Sequence, residues 1–135
     1  MQDNSVHTSE AVTDGIRVVV TSQFTHADPQ QQRWLFSYTV RISNESPDTV
    51  QLVSRHWIIT NGSNDVEEVK GPGVVGHKPT LAPGQSFEYS SGCPLTTPSG
   101  IMVGTYEMAD SGGTHFDVEI PAFSLDSPYQ LRLVN

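Results

Sequence analysis

The clearest constraint on the fold is the alternation of side chains between residues 34 and 42. All five even-numbered positions of this segment are aromatic or β-branched, whereas only one of the four odd-numbered positions, Leu35, is apolar. A helical period would place Ser37 and Arg41 on the same face as Trp34, so a period of two residues fits better. The segment is therefore predicted to be a β-strand with one buried face. That face carries the aromatic or β-branched residues at every second position, Trp34, Phe36, Tyr38, Val40 and Ile42.

The same alternation recurs in short segments separated by residues that favour turns. Asn61-Gly62 and residues 110–113 are predicted to be hairpin turns, because Asn and Gly tolerate positive φ. No segment has a convincing helical period. The chain is therefore expected to be all-β, a β-sandwich of about seven or eight antiparallel strands, with a closed barrel as the alternative. Besides the first segment, strands are expected over residues 16–24, 50–60, 65–70, 86–91, 101–109 and 114–125.

The last of these segments changes its alternation in the middle. Phe116 and Ile120 share one parity, whereas Phe123 has the other. A regular strand cannot make this change without exposing its core face, and Pro121 lies where the change occurs. A β-bulge is therefore predicted at Pro121.

One domain is expected, over residues 16–125. Residues 1–15 show no periodicity and are expected to form a flexible N-terminal tail. Residues 126–135 are expected to form a C-terminal tail.

Charge and cysteine content limit the partners and the compartment. The net charge is −8, and the seven Lys and Arg residues form no cluster, which disfavours nucleic acid and anionic membranes as partners. No run approaches the 18 apolar residues of a membrane span. Cys93 is the sole cysteine, so no intramolecular disulfide can form. Because the N-terminal residues also lack the pattern of a signal peptide, a cytoplasmic location is expected.

A glycine-rich segment, residues 71–85, is the first candidate site. Its Gly-x-Gly-x-x-Gly pattern occurs in dinucleotide-binding folds, but Pro79 and Pro83 prevent the helix that such folds require. Two hypotheses remain for this segment. Its backbone N–H groups form a nest that binds an anion, or its glycines serve only tight turns and close packing. The candidate phosphate-binding residues are Lys70, Gly71, Gly73, Val74, Val75, Gly76, His77 and Lys78.

A polar strip on the last strand is a weaker candidate. His115, Asp117 and Glu119 lie opposite the core parity and carry donors that can hold a divalent cation. A solvated strand face shows the same alternation. No cofactor is expected.

The segment Arg55-His56-Trp57 places a charge on the inner side of a strand. Trp57 is expected to pack between the sheets, and Arg55 has the same parity. A buried guanidinium needs an acidic or carbonyl partner. His56 is expected to be a partly buried histidine with a hydrogen-bond partner.

The sequence carries no recognised catalytic pattern. Gly-x-Ser-x-Gly, His-Glu-x-x-His and Walker A motifs are missing, and nothing near Cys93 suggests a lowered pKa. The chain is therefore expected not to be an enzyme. The partners expected instead are another protein or, alternatively, a phosphate-containing small molecule.

Several motifs in one order make the chain resemble the ApaG family over about residues 16–125. They are residues 35–38 (LFSY), 54–62 (SRHWIITNG), 71–76 (GPGVVG), 90–92 (SSG), 100–108 (GIMVGTYEM) and the pattern Phe116-x-x-x-Ile120-Pro121-x-Phe123-x-Leu125.

The resemblance implies a fold and a set of functional hypotheses. The fold is an immunoglobulin/fibronectin-III-like β-sandwich. Bacterial members are linked to cobalt tolerance and magnesium efflux, and eukaryotic copies are similar to protein-interaction modules. The glycine motif has prompted a pyrophosphate- or nucleotide-binding hypothesis for the family. Family members often carry Glu-x-Pro after this motif, whereas this chain has His77-Lys78-Pro79, which makes its loop more cationic.

Overall fold

The alternating segment around Phe36 forms the centre of a strand in which every even position is buried, as predicted. The computed structural model describes residues 6–128, which form nine strands and one 3-10 turn, Pro29–Gln31. The strands are β1 (His7–Thr13), β2 (Ile16–Asp28), β3 (Arg33–Asn44), β4 (Val50–Asn61), β5 (Val66–Pro72), β6 (Thr80–Leu81), β7 (Ser86–Leu95), β8 (Ser99–Asp110) and β9 (His115–Asp126).

Two antiparallel sheets pack face to face. Sheet A has the strand order β1-β2-β3-β7, and sheet B has the order β5-β4-β8-β9, with β6 paired to the start of β4. The prediction of an all-β, immunoglobulin/fibronectin-III-like sandwich is confirmed, with nine strands in place of seven or eight. No helix within residues 6–128 has the length and apolar character needed to cross a membrane.

The N-terminal segment differs from the sequence-based expectation of a flexible tail. His7–Thr13 forms β1, which pairs with β2 from Thr13 opposite Ile16 to His7 opposite Ser22. The connecting turn, Asp14-Gly15, has positive φ at both residues, as two-residue hairpin turns require. An Asp-Gly pair favours a two-residue hairpin turn, so the sequence contains a signal for a strand before Asp14. Of the expected C-terminal tail, Asp126 still belongs to β9, and residues 129–135 lie outside the described residues.

The core fills the space between the sheets with aromatic and aliphatic side chains. The Trp57 ring contacts Tyr38 and Phe123 edge-on at centroid distances of 5.5 and 5.8 Å. Such contacts stabilise beyond the area that they bury. The inward positions of Tyr38 and Trp57, one from each sheet, confirm that the alternation marks a shared interior.

Two bulges keep core residues inward where the alternation changes. In β9 the pairing shifts between Ile120 and Phe123, which confirms the bulge predicted at Pro121. In β4 it shifts between Leu52 and Ser54, so that Leu52 and Trp57 are both buried despite their opposite parity. Each bulge inserts an unpaired residue and thereby moves the side chains that follow to the other face.

The two lateral sides of the sandwich differ. On one side β9 joins sheet B to sheet A, because the Glu119 N–H donates to Thr13 Oγ1 at 3.1 Å and Ser22 Oγ donates to the Ser124 carbonyl at 2.8 Å. On the other side β5 and β7 are the end strands of their sheets. This second side, which carries the glycine-rich segment and two strand edges, is therefore the open one.

Candidate functional site

The glycine-rich segment turns back on itself directly after β5. Val74 and His77 exchange backbone hydrogen bonds, N–H to carbonyl, at 2.8 Å in both directions. The two residues between them, Val75 and Gly76, have φ of 41° and 84°. Val74 is fully buried and anchors the turn, whereas Val75 projects into solvent. The segment is thus a tight hairpin with a buried base and an exposed tip.

Most N–H groups of this hairpin are already used within the fold. The Gly73 N–H donates to the Val53 carbonyl at 2.9 Å, and those of Val74 and His77 donate to each other's carbonyl. Within residues 6–128, the N–H groups of Val75 and Gly76 have no acceptor. Of the four residues from Val74 to His77, the two at the tip therefore have N–H groups that are available to an anion.

Packing explains why the first two positions of the motif, Gly71 and Gly73, are occupied by glycine. A Cβ on Gly71 would lie 3.0 Å from Nη1 of Arg55, which faces it across β4 and β5. A Cβ on Gly73 would lie 2.4 Å from the His77 carbonyl oxygen, and the φ of Gly73 is +60°. The backbone excludes a side chain at Gly73, whereas a side chain at Gly71 would require the Arg55 guanidinium to shift.

Arg55 has the carbonyl partners that its inward position requires. Its Nη1 donates to the carbonyls of Pro72 and Gly73 at 3.1 and 2.9 Å. This confirms the expectation of a carbonyl or acidic partner. The interaction fixes the end of β5 to β4, so that Arg55 holds the base of the glycine hairpin in place.

The remaining cationic candidates are distributed around the hairpin. Lys70 is exposed and lies opposite His56 in the β4–β5 ladder. Lys78 places its side chain beside Gly73, and the His77 ring lies 5.8 Å from the ring of Phe87. His56 Nε2 is paired with Glu68 Oε1 at 2.9 Å, which confirms the expectation that this histidine has a partner.

The strip on β9 is organised by a residue that the sequence analysis did not select. His115 Nδ1 lies 2.7 Å from Glu107 Oε2, and Ser54 Oγ donates to Glu107 Oε1 at 2.8 Å. The hydrogen bonds from His115 and Ser54 lower the pKa of the Glu107 carboxyl. Asp117 and Glu119 are exposed further along the strand. Among residues 6–128, no three His, Cys, Asp or Glu side chains are arranged to hold a metal ion.

A row of hydroxyl groups crosses the outer face of sheet A. Its residues lie in register on all four strands, and its hydroxyls form two pairs, Thr39 Oγ1 with Ser90 Oγ at 2.7 Å and Thr8 Oγ1 with Thr21 Oγ1 at 3.5 Å. Paired hydroxyls of this kind have hydrogen-bond partners within the sheet and need no further ligand, as expected for a solvated face. The residues of this row are Thr8, Thr21, Thr39 and Ser90.

One end of the outer face of sheet B carries a group of apolar side chains. Val66 and Ile101 are 62% and 52% exposed and flank Thr60 in the same row of the sheet. Ile58 and Val103 lie opposite each other in the next row and are half-buried. We call Ile58, Val66, Ile101 and Val103 the sheet B patch. Contiguous exposed apolar groups of this kind are typical of binding surfaces.

A groove of about 150 Å³ opens next to this patch, on the open side of the sandwich. Val66 lines both the patch and the groove. The other walls come from β4, from the start of β5 and from the end of β7. We call it the edge groove, and its lining includes Ile59, Asp65, Val66, Glu67, Pro94 and Leu95. Sequence reasoning missed it, because its walls are distant in the chain.

Comparison with known proteins shows which family this chain is similar to. The family model for the ApaG domain matches residues 24–110. The ApaG protein of Brucella anthropi is 55% identical over 127 residues, which cover 93% of this chain and 98% of that protein. The ApaG protein of Methylocella silvestris is 51% identical over the same length and the same shares of the two chains.

Solved structures agree with the sequence matches. The crystal structure of the putative ApaA protein from Bordetella pertussis superimposes with a TM-score of 0.80 at 49% identity, covering 88% of this chain and 95% of that one. The C-terminal domain of Wzt has a TM-score of 0.53 at 10% identity, over 92% of this chain and 81% of that one. At this identity the second likeness shows a shared fold alone.

Proposed function

The chain belongs to the ApaG family, and from this premise we propose that it is a non-catalytic interaction module that binds another protein through the sheet B patch. The observation that carries the proposal is the contrast between its two outer faces. A row of hydroxyl groups crosses the outer face of sheet A, where the exposed Val12 lies opposite the charged Arg17, whereas sheet B exposes Val66 and Ile101 in one row over about half of their surface or more.

The position of the patch also supports a binding role. It reaches the open side of the sandwich through Val66, where no strand among residues 6–128 pairs with the outer edge of β5. Burying exposed Val and Ile side chains against a partner contributes free energy in proportion to the apolar area removed from water. A patch next to a strand edge offers both apolar and backbone contacts to one partner.

The cellular role follows from the same proposal. The link to cobalt tolerance and magnesium efflux, which the family resemblance implies, would act through the bound partner. Divalent-cation sensing by His115, Asp117 and Glu119 gains no support from the geometry, because His115 is paired with Glu107. A cytoplasmic location, expected from the lone Cys93, is part of the proposal.

The test compares matched serine variants in a quantitative affinity capture from bacterial extract. Val66→Ser with Ile101→Ser removes the apolar side chains of the patch. Val12→Ser is the control, since Val12 is 49% exposed on the outer face of sheet A. We expect captured protein to fall about tenfold with the double variant and to stay unchanged with V12S. If the wild type retains no protein at any salt concentration, or if both variants behave alike, the proposal is wrong.

Phosphate binding at the glycine hairpin is the second candidate. The observation in its favour is the tip, where the N–H groups of Val75 and Gly76 are adjacent and unused within the described chain. Lys78 lies beside Gly73 at the base. Pyrophosphate titration, followed through the amide signals of Val75 and Gly76, is the test. If these signals stay unchanged up to millimolar pyrophosphate, the binding free energy is weaker than about 4 kcal/mol and this candidate is eliminated.

A further inference from the structure

The edge groove is acidic on its β5 side. Asp65 and Glu67 lie opposite Asn61 and Ile59, and their side chains share the inward parity of Val69, which lies opposite buried Trp57. Both carboxylate residues line the groove. Both residues remain exposed to solvent, and an inward-pointing charge on an end strand disfavours pairing with a strand whose inward side chains are apolar.

Within the described part of the chain, neither carboxylate has a cationic partner. Within residues 6–128, the ion pairs are made by other acidic residues, and no Lys or Arg lines the groove. The charge of Glu67 also reaches sheet A, since it adds to the effect of burial in raising the pKa of the Cys93 thiol. The groove therefore combines two uncompensated negative charges with the apolar walls of Ile59 and Leu95.

The backbone beside the groove is available for pairing. β5 bonds to β4 through the ladder from Val66 to Pro72, and it is the last strand of its sheet. Half of the N–H and carbonyl groups of an end strand point away from its neighbour. A partner segment in extended conformation can add to such an edge as a further strand.

A strand added to β5 would place its side chains alternately on the two faces of sheet B. Side chains on the inner face would meet Asp65 and Glu67, and those on the outer face would extend the sheet B patch beyond Val66. We propose that the β5 edge and the edge groove bind an extended segment of a partner protein in which cationic residues alternate with apolar ones. This inference rests on the proposed function, because it takes the partner to be a protein.

The test uses the full-length protein and a fluorescent peptide probe, Ac-Val-Arg-Val-Lys-Val-Arg-Val-NH₂, with binding followed by anisotropy and amide NMR. Saturable binding with the largest shifts in β5 and near Leu95 is expected. Asp65→Asn with Glu67→Gln should weaken binding by about tenfold or more, because each removes the partner of a cation. A probe methylated on every backbone nitrogen should not bind, because it cannot pair with a strand edge.

A control matched in charge to the single variant Glu67→Gln separates this site from general attraction to an acidic protein. Glu88→Gln removes an exposed acid from β7, the other end strand, on the outer face of sheet A. It should leave probe affinity within about twofold of the wild type. Equal losses for E67Q and E88Q, equal binding of a probe with Glu in place of Arg and Lys, or no binding up to millimolar probe would each overturn the proposal.

Two further outcomes identify which proposal has failed. Residues 129–135 (YQLRLVN) contain one arginine between two leucines. If deleting these residues raises the affinity for the probe tenfold, the chain's own segment competes for the groove. That result would overturn the proposal that a partner protein binds there. If D65N/E67Q still captures the protein that V66S/I101S loses, the groove proposal is wrong while the interaction module stands.

Discussion

The guanidinium of Arg55 lies against Gly71, so that a methyl group there would stand 3.0 Å from Nη1. Arg55 uses this position to donate to the carbonyls of Pro72 and Gly73. The first glycine of the Gly-x-Gly-x-x-Gly motif thus makes room for an arginine on the neighbouring strand. The motif is explained by packing at this position, without any ligand.

Gly71→Ala should lower the free energy of unfolding by about 1 kcal/mol, because the Arg55 guanidinium must shift and its hydrogen bonds to the two carbonyls weaken. In an Arg55→Ala background the same substitution should be close to neutral. Urea unfolding of the two single variants and the double variant measures the coupling. Additive effects would show that Gly71 is required for another reason.

Gly104→Ala should be more severe than any substitution in the glycine hairpin. A Cβ on Gly104 would lie 2.1 Å from the His56 carbonyl oxygen, and backbone atoms cannot yield as a side chain can. We expect a loss of about 3 kcal/mol or more. Gly112→Ala is the control, because its nearest neighbour would be 3.5 Å away. Similar melting temperatures for the two variants would contradict the close approach of β4 and β8.

Val75→Asn should stabilise the protein by up to about 1 kcal/mol. Val75 has φ of 41°, a conformation that a β-branched residue adopts at a cost and that Asn tolerates. About half of the Val75 side chain is exposed, so the substitution removes little buried apolar surface. Ile101→Asn, at an exposed strand position, should not stabilise. Thermal unfolding measures both variants, and a destabilised V75N would refute the assigned turn.

Ser111→Ala should reduce stability at neutral pH but not in acid. Ser111 Oγ donates to Asp48 Oδ1 at 2.6 Å, and hydrogen bonds from Ser111 lower the pKa of the Asp48 carboxyl. Since the folded pKa lies below the unfolded value of about 3.9, the stabilisation is present above that value and disappears as the pH falls through the folded pKa.

Unfolding of S111A and the wild type at pH 7 and pH 2 checks this sign. Ser43→Ala serves as the reference variant, because Ser43 contacts the uncharged hydroxyl of Ser86 at 2.8 Å. Its penalty should be the same at both pH values. A penalty for S111A that persists at pH 2 would mean that the Asp48 charge is not involved.

Cys93 should react slowly with thiol reagents in the folded protein. Burial raises the pKa of its thiol to about 11. At pH 8 the thiolate fraction is then more than about 100-fold smaller than that of a free cysteine, and the thiolate is the reactive form. Labelling in denaturant should restore the ordinary rate. Labelling of the folded protein within tenfold of free cysteine would contradict the buried position.

The alternation of residues determined much of the fold. It identified the inward faces of β2, β3 and β9, and the parity change at Pro121 placed a bulge correctly. It also placed Arg55 on an inner face with need of a carbonyl partner. These properties follow from the two-residue period of an extended chain, which depends only on neighbours in sequence.

The tertiary structure decided which of these strands became neighbours, and the sites depend on that choice. Glu107 joins His115 and Ser54 only because β4, β8 and β9 are adjacent, and the edge groove exists only because the end of β7 faces β5. Contacts between residues tens of positions apart are set by the packing of whole sheets. A local pattern therefore predicts which side a residue faces, while long-range packing determines what it meets there.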